Sequence, residues 1–294
     1  MSIPEPGDVR QAIERLYAEP PDEYGADHFA LFARFKEALN RGEIRAAEPD
    51  PASPTGWRVN PWVKQGILVG FRMGKVVDMT VGSGSPPGPG PGSLPFFDKA
   101  TYPVRGLDVT SGVRVVPGGS SIRDGVYLGA GVICMPPMFI NTGAWVDDGS
   151  LVDSHALVGS CAQVGKRVHL SAAAQLGGVL EPVGASPVIV EDDVLVGGNC
   201  GVYEGTVVKR RAVLGAGTIL TRSTPVYDLV KETIHRAEGD LPLVIPEGAV
   251  VVPGSRAVAR GAGKEWGLSL YTPVIVKYRD AATDERVQLE DWLR

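Results

Sequence analysis

From Val116 a step of six residues lands in turn on Val116, Ile122, Leu128, Cys134, Ile140, Val146, Val152, Val158, Val164, Leu170 and Leu176, and all but Cys134 are aliphatic. After an interruption around "LEPVGAS" the step resumes at Val190 and runs through Val196, Val202, Val208, Leu214, Leu220 and Val226. Two residues before these positions the side chain is usually small, as at Ser120, Ala144, Ser150, Ala156, Ala162, Ala174, Cys200, Thr206, Ala212, Thr218 and Thr224. A helix repeats every 3.6 residues and a strand every two, so neither holds a strict six. A parallel β-helix does: each hexad is one short strand plus a corner, its aliphatic side chain points into a shared interior, and three hexads close one triangular coil. The eighteen positions then make about six coils and a prism roughly 29 Å long. A single coil cannot cover its own inward face, so stability comes from stacking each coil on its neighbours.

The chain has 294 residues, 38 of them Gly and 24 Pro. That content calls either for disorder or for a fold of many tight corners, and the hexad ruler selects the corners. Hydrophobic residues make up 44% and charged residues 21%, as in an ordinary globular protein. The net charge of -5 and the lack of a long Lys/Arg run give no footprint for nucleic acid or an anionic membrane surface. The acidic start "MSIPEPGDVRQAIERLYAEP" has no apolar h-region and no stretch of 18 apolar residues occurs, so a cytoplasmic location is expected. Cys134, Cys161 and Cys200 are odd in number and lack CxxC spacing, which argues for reduced thiols rather than disulfides or a zinc cluster.

Three parts are expected: a mostly helical N-terminal domain over 1–106, the β-helix over 107–228, and a cap with β-strands over 229–294. In the first, Val9, Ile13, Leu16 and Tyr17 form one apolar stripe, and Phe29, Phe32, Phe35 and Leu39 another that ends at Gly42. Residues 62–73 read as a further helix. The Pro/Gly/Ser stretch 82–95 has nothing to bury and reads as a linker. After Val226 comes a charged insertion, and then the alternating "LYTPVIVKY" as a strand, turned by "RDAATDE" into a second segment. Such a cap would cover one open end of the solenoid.

Within "VDDGSLVDSHALVGSCAQVGKRVHL", residues 146–170, Asp153 directly follows an inward valine and is an outward carboxylate among small residues. Asp147 and Asp148, beside Gly149, fit turn aspartates that bind nearby backbone N–H groups. His155 and His169 lie 14 residues apart, which is not a whole coil, so a shared metal is not expected. Cys161 has an uncharged neighbourhood and reads as structural.

"VDDGSLVDSHALVGSCAQVGKRVHLSAAAQLGGVLEP" (146–182), with "SGVRVVPGG", "FFDK" and "VIVEDDVLVGGNCGVYEG", resembles the tetrahydrodipicolinate N-succinyltransferase family of hexapeptide acyltransferases. The resemblance spans roughly residues 60–285. It implies a mainly β fold, a left-handed parallel β-helix with a small N-terminal helical domain and a C-terminal β cap, assembled as a homotrimer with active sites between subunits. It implies succinyl transfer from succinyl-CoA to the amino group of ring-opened 2-amino-6-oxopimelate, in lysine and diaminopimelate biosynthesis. On this resemblance Asp153 is the general base, and Arg114 binds the dicarboxylate substrate through its planar fork. Backbone N–H groups at Gly177 and Gly178 are candidates for the oxyanion. Lys209, Arg222 and Lys277, with Arg210 and Arg211, are candidates for the CoA phosphates. No metal and no permanently bound cofactor are expected, with succinyl-CoA serving as cosubstrate. The chain departs from the pattern at Gly201, where the family carries a glutamate; Glu204 lies three residues on, at a different hexad position. An N-acetyltransferase acting on the same substrate, and a scaffold without catalysis, stay open as alternatives.

Overall fold

The structure, a computed structural model, describes residues 6–81 and 94–280. Most of the expected linker therefore lies outside the described residues, as does the segment expected after "RDAATDE". Strands of two residues recur every six along the middle of the chain and pair in parallel with the strand one coil away, as in Trp145 with Gln163 and Val146 with Val164. Three sheets result, which are the three faces of a prism. The first face carries the strands beginning at Ile133, Leu151, His169, Leu195 and Val213, the second those at Ser121, Phe139, Leu157, Gln175, Gly201 and Ile219, and the third those at Tyr127, Trp145, Gln163, Ile189, Val207 and Val244.

The inward ruler positions from Ile122 to Val226 are all at most 8% exposed and belong to one continuous core. Each such aliphatic side chain contributes about 1.5–3 kcal/mol relative to exposure. The small residues two positions earlier are buried too, except the half-buried Ser120 and Thr224 at the two ends, and hydroxyls among them are satisfied locally: Ser150 Oγ donates to the Gly165 carbonyl at 2.7 Å and Thr206 Oγ1 to that of Tyr203 at 2.8 Å. Corners repeat with the same period. A left-handed residue stands at Gly125, Gly131, Gly143, Gly149, His155, Cys161, Arg167 and Ala173, six apart except for a gap at Pro137, and glycine meets that conformation at the first four.

The ruler fails at both ends. Pairing sets Val115, not Val116, opposite Cys134, so the first coil is slipped by one residue and Val116 lies outside the core. At the other end Val226 is buried but leaves the prism, because its strand, Val226–Asp228, pairs with Thr233–His235 and with Ser269–Tyr278. The third face is continued instead by Val244–Ile245 on Val207–Val208, and the first by Val250 and Val251 on Val213 and Leu214. The coils thus run past residue 228, and what a constant step of six could not show is that a 19-residue excursion precedes their last turn.

Three helices cover one side of the prism: α1 (Pro6–Ala18), α2 (Ala26–Asn40) and α3 (Pro61–Met73). Ile13, Phe32, Phe35, Trp62 and Ile67 form their core with Tyr102, and Cys161 from a coil corner is part of it. Phe29, expected in the buried stripe, is 42% exposed. The C-terminal strands Ala249–Ala257 and Ser269–Tyr278 form a long antiparallel ribbon that extends the first face.

Candidate active site

Asp153 closes the first-face strand Leu151–Val152 and stands at the corner leading to the second face. Its backbone neighbours one coil away on either side are Met135 and Ser171, followed by Val116, Gly197 and Gly215, so no charged residue shares its column. One carboxylate oxygen accepts from the Ser154 N–H at 2.7 Å. The other has no partner among the described residues and is open to a ligand. Arg114 lies on the same face two coils away, through Ile133 and Leu151, with an exposed side chain. Two inter-strand steps amount to roughly 10 Å, within the span of a small dicarboxylate and the arginine's own length.

The other aspartates of the stretch are structural. Asp148 pairs with Lys166 at 3.0 Å and accepts from the Ala130 N–H, and Asp147 accepts from Trp145 Nε1 at 3.2 Å and from the Asp148 N–H. Cys161 is fully buried, and burial pushes its thiol up to about 12. Among the described residues no cluster of His, Cys, Asp and Glu could hold a metal ion.

The interruption of the ruler builds a cleft. Between Leu176 and Val188 the chain leaves the second face as a loop, and this loop lines a cleft of about 1010 Å³ together with Tyr203, Glu204, Thr221, Arg222, Asp240 and Pro242. Gly178 packs flat against the coil beneath it: a Cβ on Gly159 would stand 2.2 Å from the Gly178 nitrogen. The Gly178 N–H has no partner among the described residues and remains a donor. The Gly177 N–H is different, since it donates to the Val202 carbonyl at 2.9 Å as part of the ladder, so the expectation that it serves the oxyanion is corrected.

Of the three cations assigned to CoA, Arg222 alone lines the cleft, with its guanidinium on the Gly239 carbonyl and its backbone N–H on Glu204 at 2.8 Å. Lys209 is at another corner, ion-paired with Glu191 at 2.8 Å and bound to the Thr55 carbonyl, where it fastens the N-terminal segment. Lys277 lies on the C-terminal ribbon opposite Val250 and pairs with Asp280 at 3.3 Å. Neither lysine lines the cleft: Lys209 is held by Glu191 on the neighbouring coil, and Lys277 by Asp280 three residues on along its own strand end.

Residues 8–73 match the family model described as tetrahydrodipicolinate N-succinyltransferase N-terminal, and residues 187–222 that of the hexapeptide repeat of succinyl-transferase. The 2,3,4,5-tetrahydropyridine-2,6-dicarboxylate N-succinyltransferase of Nitrobacter winogradskyi is 39% identical over 87% of this chain and 86% of its own. That of Polynucleobacter asymbioticus is 37% identical over 97% of both, and that of Bradyrhizobium diazoefficiens 38% over 98% of this chain and 91% of its own. The chain belongs to the tetrahydrodipicolinate N-succinyltransferase family.

At Gly201, where the family carries a glutamate, the ring of Tyr203 occupies the space beside the backbone. A Cβ there would meet Tyr203 Cε2 at 2.4 Å, so glycine and tyrosine are coupled in space. Glu204 lines the cleft, and one of its carboxylate oxygens accepts from the Arg222 N–H at 2.8 Å. Two residues of the site were not expected from sequence. Tyr203 carried no signal beyond an aromatic at a corner. Lys64, in α3, is fully buried, and its Nζ donates to the Ala185 carbonyl at 2.6 Å, tying α3 to the cleft loop. Burial holds the Lys64 ammonium below its ordinary 10.5.

Proposed function

We propose that the chain transfers the succinyl group of succinyl-CoA to the amino group of tetrahydrodipicolinate in its ring-opened form, 2-amino-6-oxopimelate, the reaction of lysine and diaminopimelate biosynthesis. The observation that carries this reading is the similarity to succinyltransferases over 97% of the chain, from the helices through the last coils. The amine of the acceptor attacks the thioester carbonyl, Asp153 takes the proton the nitrogen loses, and the tetrahedral intermediate expels the thiolate of CoA, which is protonated to the free thiol. The free oxygen of Asp153 supports its assignment as base, and the unpaired N–H of Gly178 supports its role at the developing oxyanion. Arg114 would hold a carboxylate of the acceptor, and Arg222 a phosphate of CoA. No covalent enzyme intermediate is required, since holding both substrates in line lowers the barrier through proximity.

We further read the coils as left-handed, the C-terminal ribbon as their cap, and the chain as divided into a helical part to residue 106, the coils, and the cap. We infer a homotrimer in which the Gly178 corner of one prism faces the Asp153 corner of the next. Its support is that the two groups stand on different corners of one chain. No helix among the described residues is long and apolar enough to cross a membrane, and we place the enzyme in the cytoplasm with its acyl-CoA. The test is thiol release from succinyl-CoA and from acetyl-CoA with tetrahydrodipicolinate as acceptor. Preferred turnover of succinyl-CoA is expected; preference for acetyl-CoA, or no thiol release from either donor, would reject the assignment.

A further inference from the structure

Tyr203 follows the second-face strand Gly201–Val202, and its ring folds back across that strand. A Cβ at residue 201 would stand 2.4 Å from Tyr203 Cε2 and 2.9 Å from both Cζ and Oη, and one at residue 177 would stand 2.8 Å from Cδ1. Neither glycine has a positive φ, so backbone conformation does not demand glycine at either place. What both provide is a notch that holds the phenol flat against two neighbouring coils. The ring forms a wall of the cleft, next to Gly178 and on the side of Arg222. Its hydroxyl has no hydrogen-bond partner among the described residues. A tyrosine whose apolar body is fixed and whose O–H is unspent presents one hydrogen bond to whatever enters.

We propose that Tyr203 sets the acyl-donor preference. Its ring packs against the four-carbon acyl chain, and its hydroxyl donates to the terminal carboxylate of that chain. The Gly178 N–H, one residue beyond the contact with Gly177, takes the thioester oxygen at the other end. A backbone N–H and a hydroxyl on one wall of the cleft match a dicarboxylic acyl group, which has acceptor oxygens at both ends, better than a simple fatty acyl group, which has them at one. The proposal rests on the succinyl-transfer reading above and adds which side chain distinguishes the donor.

The experiment measures binding of succinyl-CoA and of butyryl-CoA, which has the same chain length without the carboxylate, by calorimetry in the absence of acceptor. Tyr203→Phe is expected to weaken succinyl-CoA about tenfold relative to butyryl-CoA, the loss of one hydrogen bond to a charged group. Gly201→Ala keeps the hydroxyl but puts a methyl where the ring lies, and is expected to lower the same ratio. An unchanged ratio in Tyr203→Phe, or an equal loss for both ligands, overturns the proposal while leaving succinyl transfer in place. A fall in Gly201→Ala without one in Tyr203→Phe overturns the role of the hydroxyl. Wild-type protein that binds neither acyl-CoA overturns the succinyl-transfer reading and this proposal with it.

Discussion

Asp153 and Gly178 stand at different corners of the prism, Asp153 before the second-face strand Leu157–Val158 and Gly178 after the strand Gln175–Leu176 one coil on. The width of a face separates them, on the order of 15 Å. A base and an oxyanion donor that serve one thioester must lie within hydrogen-bond reach of the same few atoms. Two copies of the chain can satisfy that condition where one cannot.

Mixing two inactive variants tests the arrangement. Asp153→Asn removes the carboxylate proposed as base, and Gly178→Val blocks the cleft wall, where a Cβ would stand 2.7 Å from the Ser160 nitrogen. Each variant on its own is expected to lose activity by about a hundredfold or more. Unfolding and reassembling the two together forms some interfaces with an intact base and an intact wall, so activity returns to a substantial fraction of wild type. Recovery no greater than the sum of the separate variants would place the whole site within one chain.

Lys64 gives the protein a pH signature. Its folded pKa is held below 10.5 by burial, so between that lowered value and 10.5 the unfolded chain binds more protons than the folded one. Stability from this residue therefore rises with pH across that window and levels off above 10.5. Urea midpoints of wild type and Lys64→Met, followed from neutral pH upward, are expected to diverge in favour of wild type. Parallel curves would mean that the ammonium is not desolvated.

The thiols should be silent. Burial holds Cys134 and Cys161 at about 12, and Cys200 is raised as well, so none supplies thiolate near neutral pH. An alkylating reagent at about pH 8 is expected to leave the folded protein unlabelled and to label all three cysteines once it is unfolded. Cys161→Ala is expected to keep kcat; a loss of turnover without loss of fold would restore Cys161 as a participant.

The interior of the prism was legible because it depends on one position in six, and Val146, Val152 and Val158 all occupy that position with no exposure at all. The errors came where spacing is silent. Val116 sits one residue off phase in the first coil, which has a partner on one side only, and Val226 keeps the six-step yet joins the ribbon. Asp153 was readable as outward from its place after Val152. The cation run was misread at Lys209, since its partner Glu191 is one coil away and Thr55 belongs to another part of the chain. Lys64 meets the cleft loop at Ala185 and Tyr203 lies against Gly177 of the neighbouring coil, and both contacts join residues far apart in sequence.

If Asp153 deprotonates the attacking amine, succinyl transfer depends on its carboxylate. That dependence is tested most directly by following thiol release from succinyl-CoA with tetrahydrodipicolinate in wild type and Asp153→Asn. Asparagine keeps the size and the contact with the Ser154 N–H but cannot accept the proton, so kcat is expected to fall by roughly 10²–10⁴ while succinyl-CoA binding is retained. Turnover within a few-fold of wild type would contradict the account.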